Sequence, residues 1–297
     1  MSIGAASAQT VEVVPTEGMV RAVIQTPRGS YVETERGTYL ISSCSTGICL
    51  KPDVVRGRPK RAPDGALPDG FVATSNKGAV RKAWYGRPTD RYAHCVLGDC
   101  IEGGSLIVEL ADGGIREFVL PTDQVFEDIS PRVDGDFVIT IRSSNKGGAA
   151  VVVYTLKDGN LIEAAASTEI GRSNRWLSIA SVIDGVVTFV RTPHIGGRLA
   201  TLKYDEAGEP QERSDLVTNI SNHFIGSRIL NMSASVVSKS TTLLAIPSQS
   251  RDALRLIETP DIIRDVPLPG KIDKAIIAFD GRVITSTDDG QLLVITP

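Results

Sequence analysis

The sequence lacks three features that would point directly to a class of partner or compartment. Lys and Arg number 32 against 35 Asp and Glu, so there is no basic excess, and a general nucleic-acid binder normally carries one. No apolar run approaches the roughly 18 residues that suggest a membrane span. Long helical patterns are also missing. We therefore predict no nucleic-acid partner, no transmembrane segment and no large helical domain.

Cysteine is scarce, and its four copies form two pairs of equal spacing. Cys44 and Cys49 enclose four residues, as do Cys95 and Cys100. Without a fifth cysteine, this pattern predicts two local disulfides formed in an oxidising compartment. A zinc site is the alternative, but four intervening residues lie at the edge of the usual zinc-ligand spacing, and no histidine pair completes a standard motif.

The N-terminal residues are small and polar. Ala6-Ser7-Ala8 followed by Gln9 has the form of a signal-peptidase site, although the charged region and most of the apolar region of a signal are absent. We interpret residues 1–8 as the remnant of an export signal, with a disordered start as the alternative, and residues 9–297 as a single domain. The predicted location is periplasmic or secreted.

Short apolar stretches that end at Gly, Asp, Asn or Pro recur along the chain. In the clearest copy, Leu177 to Ile183 is followed by the turn Asp184-Gly185, then by Val186 to Arg191, a loop, and Leu199 to Tyr204. Related copies begin near residues 20, 71, 129, 232 and 275. Six copies spaced by about 40–55 residues predict an all-β protein, a β-propeller with six blades of four-stranded antiparallel sheet. Seven blades are the alternative count.

The last copy contains only three strands, whereas an extra apolar segment, Val11–Val14, precedes the first copy. We expect this segment to supply the missing outer strand of the last blade, because that pairing removes an open sheet edge. One β-sandwich, or two, is the alternative architecture. The sixfold recurrence of one strand order favours the propeller.

Five segments are distinctive: GFVATSNKGAVRKAWYGRPTDRYAHCVLGDCIEGGSLIVE, FEDISPRVDGD, IGRSNRWL, TPHIGGRL and SNHFIGSRILNMSA. From about residue 68 onward, over roughly two thirds of the chain, the sequence resembles the exported FG-GAP/VCBS-repeat propeller proteins of bacteria. The resemblance implies a secreted or periplasmic propeller without an assigned activity.

The sequence departs from that family at its calcium loops, which are written Asp-x-Asp-x-Asp-Gly. The equivalent turns here are Asp134-Gly135-Asp136, Asp184-Gly185 and Asp280-Gly281. A calcium site needs six to eight oxygen ligands from a loop of the correct size, and these turns supply one or two carboxylates each. We expect plain hairpin turns, no structural calcium and no other cofactor.

In a propeller, the loops between strands two and three share one face with the loops between blades, and such a face is a natural binding surface. His94 and the basic stretch at residues 56–61, which is expected to be a solvated loop, also fall in loops of this kind. The predicted ligand- or partner-binding residues are Arg142, Asn174, Arg175, Trp176, His194, Asn222, His223, Arg228 and Arg251.

Most of these side chains also have a structural interpretation. Trp176 could pack between blades instead of stacking on a ligand. His194 and His223 could bond loop backbone, and Arg142 and Arg228 could brace neighbouring loops through carboxylates.

Enzyme motifs are scarce. No Gly-x-Ser-x-Gly occurs, and a metal site of His94, His194 and His223 is disfavoured because the blades that carry them are separated in the predicted ring. The metal site of propeller lactonases or sugar dehydrogenases is held by carboxylates and amides. The amides of Asn174 and Asn222 and the carboxylate of Asp273 could imitate it. We predict a non-enzymatic periplasmic or extracellular scaffold that binds an unknown protein or an envelope glycan. The alternative is a metal-dependent hydrolase or sugar dehydrogenase with its site at the channel mouth.

Overall fold

A computed structural model of the protein describes residues 9–45, 47–204, 209–238 and 241–297. The predicted export remnant at residues 1–8 lies outside these ranges. Every regular element within them is a β-strand, so the described chain has no helix that could cross a membrane. The all-β prediction is confirmed.

The described ranges contain 26 strands. The first half comprises β1 (Thr10–Val14), β2 (Val20–Thr26), β3 (Gly29–Thr34), β4 (Thr38–Cys44), β5 (Gly47–Pro52), β6 (Lys60–Arg61), β7 (Phe71–Thr74), β8 (Val80–Thr89), β9 (Glu102–Leu110), β10 (Ile115–Val119), β11 (Gln124–Phe126), β12 (Arg132–Asp134) and β13 (Phe137–Ser144). The second half comprises β14 (Gly148–Lys157), β15 (Asn160–Ala166), β16 (Leu177–Ile183), β17 (Val186–Arg191), β18 (Gly197–Lys203), β19 (Gln211–Ile220), β20 (Ala234–Ser238), β21 (Thr241–Pro247), β22 (Ala253–Thr259), β23 (Ile262–Pro267), β24 (Ile277–Phe279), β25 (Arg282–Ser286) and β26 (Leu292–Thr296).

The chain divides into two compact units. Among the described residues, unit 1 comprises 9–45, 47–58, 219–222, 229–238 and 241–297, and unit 2 comprises 59–204, 209–218 and 223–228. The assignment of residues 9–297 to a single domain stays a prediction.

Unit 1 contains three four-stranded antiparallel sheets, ordered β2-β3-β4-β5, β20-β21-β22-β23 and β1-β26-β25-β24. In the last sheet, β1 runs antiparallel to β26 from Thr10 opposite Thr296 to Val14 opposite Leu292. The N-terminal segment therefore supplies the outer strand of this sheet, as predicted. Its pairing removes a row of open backbone donors and acceptors from β26.

The core of unit 1 is formed by β-branched and leucine side chains that alternate along the strands. Val32 and Ile41 belong to one buried cluster with Ile284 and Val294. Because side chains alternate between the two faces of a strand, one face of each ladder enters such a core while the other stays polar.

Unit 2 contains a ten-stranded sheet and the four-stranded sheet β16-β17-β18-β19. The large sheet consists of two four-stranded groups, β7–β10 and β12–β15, with β6 added at the edge of the first group. The short strand β11 joins the groups, because Phe126 pairs with Gly103 of β9 and Gln124 pairs with Ser144 of β13. The two units together thus hold six four-stranded groups, the predicted number.

An aromatic cluster lies at the centre of unit 2. The rings of Tyr85 and Phe126 stack with centroids 5.1 Å apart, and Phe126 meets Tyr154 edge-on at 5.9 Å. All three side chains are buried, and burying a ring of this size stabilises the fold by roughly 1.5–3 kcal/mol. This cluster forms the rigid base on which the loops after β11 are built.

Both predicted disulfides are confirmed. Cys44 and Cys49 bridge the β4–β5 hairpin in unit 1, and Cys95 and Cys100 bridge the β8–β9 loop in unit 2, with S–S distances of 2.09 and 1.94 Å. The described residues include no free cysteine, so the zinc alternative is wrong.

Candidate functional site

Four loops of unit 2 meet around one small pocket, which we call the histidine pocket. They are the β8–β9 loop, the β15–β16 loop, the β17–β18 loop and residues 223–228. The pocket has a volume of about 80 Å³ and is lined by His94, Asn174, Arg175, Trp176, Thr192, His194, Ile195 and Ile225. A pocket for a drug-sized ligand is several times larger, so this one accommodates a small molecule or the end of a larger one.

A glycine positions the β15–β16 loop. Gly148 has a φ of 73°, and a Cβ atom added to it would lie 2.3 Å from the carbonyl oxygen of Arg172 and 2.8 Å from that of Arg175. No side chain fits between these backbone atoms. The Ala149 N–H also donates to the Arg175 carbonyl at 2.9 Å, and these contacts fix the backbone immediately before Trp176.

Three of the four loops contain a non-glycine residue in the left-handed backbone region: Cys95 (φ 55°), Asn174 (φ 53°) and Thr192 (φ 50°). This conformation is particularly unfavourable for a β-branched residue such as Thr192. The Thr192 N–H donates to the Trp176 carbonyl at 3.0 Å, which holds the turn in place. Three strained backbone positions thus lie beside the pocket histidines, and such positions are common at functional sites.

A buried carboxylate holds His94. The Nδ1 atom of His94 lies 2.6 Å from Oε1 of Glu127, which is fully buried. The Ser143 hydroxyl donates to the other carboxylate oxygen at 2.5 Å, and the Trp176 indole N–H donates to the Glu127 backbone carbonyl at 2.9 Å. Glu127 is therefore fixed at its side chain and its backbone, and it fixes the plane and tautomer of the imidazole in turn.

A short hydrogen bond joins Glu127 and His94. Burial raises the pKa of Glu127, and the hydrogen bond and charge of His94 oppose that shift. A proton on Nδ1 of His94 leaves the lone pair on Nε2. Within the described chain, Nε2 of His94 has no hydrogen-bond partner.

The other two histidines form a hydrogen-bonded pair. Nε2 of His223 lies 2.8 Å from the Ser227 carbonyl, so it must carry the proton, and Nδ1 of His223 must accept from Nε2 of His194 at 2.8 Å. Burial lowers the pKa of His194 and of His223 to about 4, and for His194 the nearby histidines add to the shift. Both rings are therefore neutral near pH 7, and His194 keeps its lone pair on Nδ1.

Trp176 forms the wall behind this pair. Its ring is nearly parallel to His194, at 6.1 Å between centroids and 5° between planes, and it lies 4.6 Å from the ring of His223. Trp176 is buried. It therefore packs in the core of unit 2 and lines the pocket at the same time.

Two further buried carboxyl groups lie near Glu127. Burial, and then the charges of Glu127, Asp99 and Asp128, raise the pKa of Glu102 to about 9, which keeps it neutral at pH 7. Burial also raises the pKa of Asp128, but its ion pair with Arg132 opposes that shift. Of the three buried acids, Glu127 is the one bonded to an imidazole.

The structure brings five of the nine predicted binding residues together. Four of them line the histidine pocket and the fifth is hydrogen-bonded to His194; in chain order they are Asn174, Arg175, Trp176, His194 and His223. That these residues bind a ligand or partner stays a prediction.

The two other predicted residues of unit 2 form ion pairs and are not part of the pocket lining. Arg142, on β13, pairs with Glu163 of β15 at 2.5 Å. Arg228 pairs with Asp69 and, at 2.7 Å, with Asp99. The contacts of Arg228 agree with the interpretation that it braces neighbouring loops, whereas Arg142 links two strands of one sheet.

Asn222 and Arg251 belong to unit 1. Asn222 is buried. The Arg251 guanidinium donates to the Ile272 carbonyl at 3.2 Å, and the Ile272 N–H donates to the Arg251 carbonyl at 2.9 Å. These two hydrogen bonds link the loop that follows β21 to Ile272, which lies between β23 and β24.

The separation of their blades, which was the reason for disfavouring a three-histidine metal site, does not keep the histidines apart: His94 and His194 line one pocket, and His223 is bonded to His194. Across residues 9–45, 47–204, 209–238 and 241–297, no group of three or more His, Cys, Asp or Glu side chains is placed to hold a metal ion. The cluster therefore consists of imidazoles that hydrogen-bond to each other and to a carboxylate.

Sequence reasoning missed Glu127 as a site residue. The available signal was a pair of adjacent acids, Glu127-Asp128, directly after the apolar residues Val125-Phe126. Tyr92 was also missed, and its hydroxyl accepts the Asn174 N–H at 3.0 Å.

The sequence matches no family model, and no curated protein matches it. Among solved structures, a catalytically inactive variant of virginiamycin B lyase from Staphylococcus aureus with quinupristin aligns with 98% of this chain over 100% of its own. The TM-score is 0.50 and the identity 14%. Regucalcin from Agrobacterium tumefaciens, a calcium-binding protein, aligns with 93% of this chain over 89% of its own, with a TM-score of 0.39 and 13% identity. BamB from Moraxella catarrhalis covers 97% and 98%, with a TM-score of 0.29 and 11% identity.

At these identities the likeness identifies the fold alone. Together with the six four-stranded antiparallel groups, it makes the chain an all-β β-propeller, as predicted.

The predicted function, a non-enzymatic binding scaffold, is wrong. A lyase shares this fold along its whole chain, so a propeller with polar loops does not indicate a scaffold rather than an enzyme. The alternative, a metal-dependent hydrolase or sugar dehydrogenase, is not supported by a likeness that identifies the fold alone. Missing sequence motifs likewise do not exclude an enzyme, because catalytic groups can be brought together from separate loops.

Proposed function

We propose that unit 2 carries the active site of an enzyme that works by general-base catalysis, with His94 as the base. The observation that carries the proposal is the 2.6 Å contact between Nδ1 of His94 and the buried carboxylate of Glu127, at the edge of a pocket that His94 lines. A carboxylate, an imidazole and an accessible lone pair are the usual parts of such a base.

His94 suits this role better than its neighbour. When Nε2 of His94 takes a proton, the charge that forms lies beside the carboxylate of Glu127. Protonation of His194 has no such compensation. Burial and the adjacent histidines disfavour its charged form and lower its pKa to about 4. His194 would thus bind substrate as a neutral hydrogen-bond acceptor.

The pocket also limits the reaction class. Its lining contains neither serine nor cysteine, and the Thr192 hydroxyl donates to the Ile195 carbonyl at 3.4 Å. We therefore propose that His94 removes a proton from the substrate itself, as in elimination or isomerisation, rather than activating a protein nucleophile.

The test follows deuterium exchange and turnover by proton NMR in D₂O, with a panel of small metabolites that carry an acidic C–H bond. Wild-type protein should promote exchange or turnover of at least one compound, and His94→Gln should lower that rate by roughly 10²–10⁴-fold. Glu127→Gln should lower kcat and change the pH–rate profile, as expected of a positioning residue.

The matched control is Lys157→Gln, an exposed change in unit 2 that should leave the rate unchanged. Circular dichroism confirms that each variant is folded. Full activity in folded His94→Gln protein, or a panel that yields no reaction with wild type, would contradict the proposal.

We also propose that the protein works in the periplasm or outside the cell. Two disulfides support this, because they persist in oxidising compartments. Membership of the FG-GAP/VCBS-repeat family stays a proposal supported by the five segments quoted above. The predicted partners, an unknown protein or an envelope glycan, also stay predictions.

A further inference from the structure

The lining of the histidine pocket carries a positively charged side chain but no negatively charged one. Its lining contains one arginine and no carboxylate. The Arg175 guanidinium donates to the Asn174 carbonyl at 2.9 Å, and among the described residues no acidic side chain pairs with it. A guanidinium has five N–H donors in a fixed fork that matches a carboxylate, so Arg175 keeps donors available for an anion.

The rim of the pocket is apolar on one side. Ile195 and Ile225 are 62% and 70% exposed and both line the pocket. Single exposed isoleucines are ordinary, but two of them at the mouth of one pocket form an apolar contact surface. A ligand that covered them would gain roughly 25 cal/mol per Å² of apolar area removed from water.

The small volume of the pocket indicates that Arg175 and the apolar rim contact different parts of a ligand. At about 80 Å³ the pocket accepts only the head of a ligand, so the rest of the molecule must lie over the rim. The arginine donors and the apolar rim together fit a ligand with a small polar head and an apolar body. The head would lie beside Arg175 and the imidazoles, and the body over Ile195 and Ile225.

We propose that the substrate is a small carboxylate with a branched or otherwise bulky apolar group, held by Arg175 at its carboxylate and by Ile195 and Ile225 at its apolar part. This inference rests on the proposed function, because it places the carboxylate in the pocket whose base is His94. The acidic proton would lie near the carboxylate, within reach of Nε2 of His94.

The test measures binding in the full chain carrying His94→Gln, so that no turnover intervenes. The probes are isovalerate, isovaleramide, acetate and isopentyl phosphate, followed by ligand-observed NMR and calorimetry. Isovalerate should bind best, and isovaleramide and acetate should bind about tenfold more weakly, because each lacks one of the two contacts.

Variants assign the contacts. Arg175→Ala should weaken isovalerate binding about tenfold or more and leave isovaleramide unchanged, and Arg175→Lys should restore part of the loss. Ile225→Asn should weaken isovalerate but not acetate. Arg172→Ala is the matched control, since Arg172 is an exposed arginine of the same loop outside the lining.

Equal binding of isovalerate and isovaleramide, an unaffected Arg175→Ala variant, tighter binding of isopentyl phosphate, or no binding of any probe would overturn the inference. The assay does not depend on catalysis. If Arg175 selects carboxylates while His94→Gln keeps full activity in the exchange experiment, the catalytic proposal fails and the ligand class stands.

Discussion

His194 and His223 share one hydrogen bond, and burial decides their protonation. The Ser227 carbonyl can only accept, so the proton positions follow along the chain of bonds from Ser227 to His223 and then to His194. The lowered pKa of both residues keeps this arrangement neutral, and a neutral pair leaves the pocket free of positive charge on that side.

We predict that both histidines titrate near pH 4, well below the ordinary value of 6.5. Between these values the unfolded chain binds more protons than the folded one. The free energy of unfolding should therefore fall as the pH drops from 6.5 to 4, by up to about 1.4 kcal/mol per pH unit for each histidine. Long-range proton–nitrogen NMR of the imidazoles measures the pKa values and should show protonated Nε2 in both rings. Titration of either ring near 6.5 would contradict the prediction.

Single residues differ in how far the sequence predicts them. Trp176, His194 and His223 were predicted to lie in loops. Once the repeat is recognised, it predicts which loops share a face and therefore lie near one another. Glu127 could not be identified in this way, because the burial of a carboxylate depends on which side chains surround it in three dimensions. Its partner Ser143 lies on β13, whereas Glu127 lies just after β11.

At the scale of elements, the strands with clear alternation and Asp-Gly turns were predicted well. The predicted Leu177–Ile183 and Val186–Arg191 coincide with β16 and β17. The next strand, β18, begins at Gly197, two residues before the predicted start, because a glycine in the loop carries no apolar signal. Strand β11 was missed because three residues are too few to show a period, yet it joins two four-stranded groups.

The shortened turns lead to a prediction about calcium. Asp184 and Gly185 both have positive φ, at 49° and 70°, and Ile183 pairs with Val186, which is a tight two-residue hairpin. At the end of β12 the carboxylate of Asp134 accepts the Tyr204 hydroxyl at 2.8 Å, and in the following turn the carboxylate of Asp136 accepts the Ala79 N–H. These carboxylates are engaged by protein donors.

We expect a chelator to leave the melting temperature unchanged and added calcium to cause no rise, since an ion that binds only the folded state would stabilise it by mass action. Differential scanning calorimetry with and without chelator measures this. Magnesium at equal ionic strength is the control for general salt effects. A lower melting temperature after chelation, restored by calcium, would refute the prediction.

At the scale of the whole molecule, the repeat predicted the fold, whereas no sequence pattern predicted the proposed base. The propeller was predictable because one strand order recurs six times along the sequence. The proposed base was not, because it combines a loop between β8 and β9 with a residue that follows β11, and neither segment contains a catalytic motif. A fold shared at 14% identity with a lyase supplies no residue roles, so the argument for activity depends on the pocket itself.

Each unit contains one disulfide, and the two bridges differ in what they hold. Both span a sequence separation of 5 residues. The bridge from Cys44 to Cys49 closes a hairpin of unit 1. The bridge from Cys95 to Cys100 begins directly after His94, and the Val96 carbonyl within it accepts the Gly226 N–H at 2.9 Å, in the segment that carries His223.

We predict that the double variants Cys44→Ser/Cys49→Ser and Cys95→Ser/Cys100→Ser lose similar, small amounts of stability, near the low end of the few kcal/mol typical of disulfides, because both close short loops. Only the second variant should change the NMR signals of His94 and lower the proposed activity, because its loop positions the proposed base. Non-reducing peptide mapping of the wild type should give the pairs 44–49 and 95–100. A 44–95 crosslink, or a pocket that is equally intact in both variants, would show that the Cys95–Cys100 bridge does not position His94.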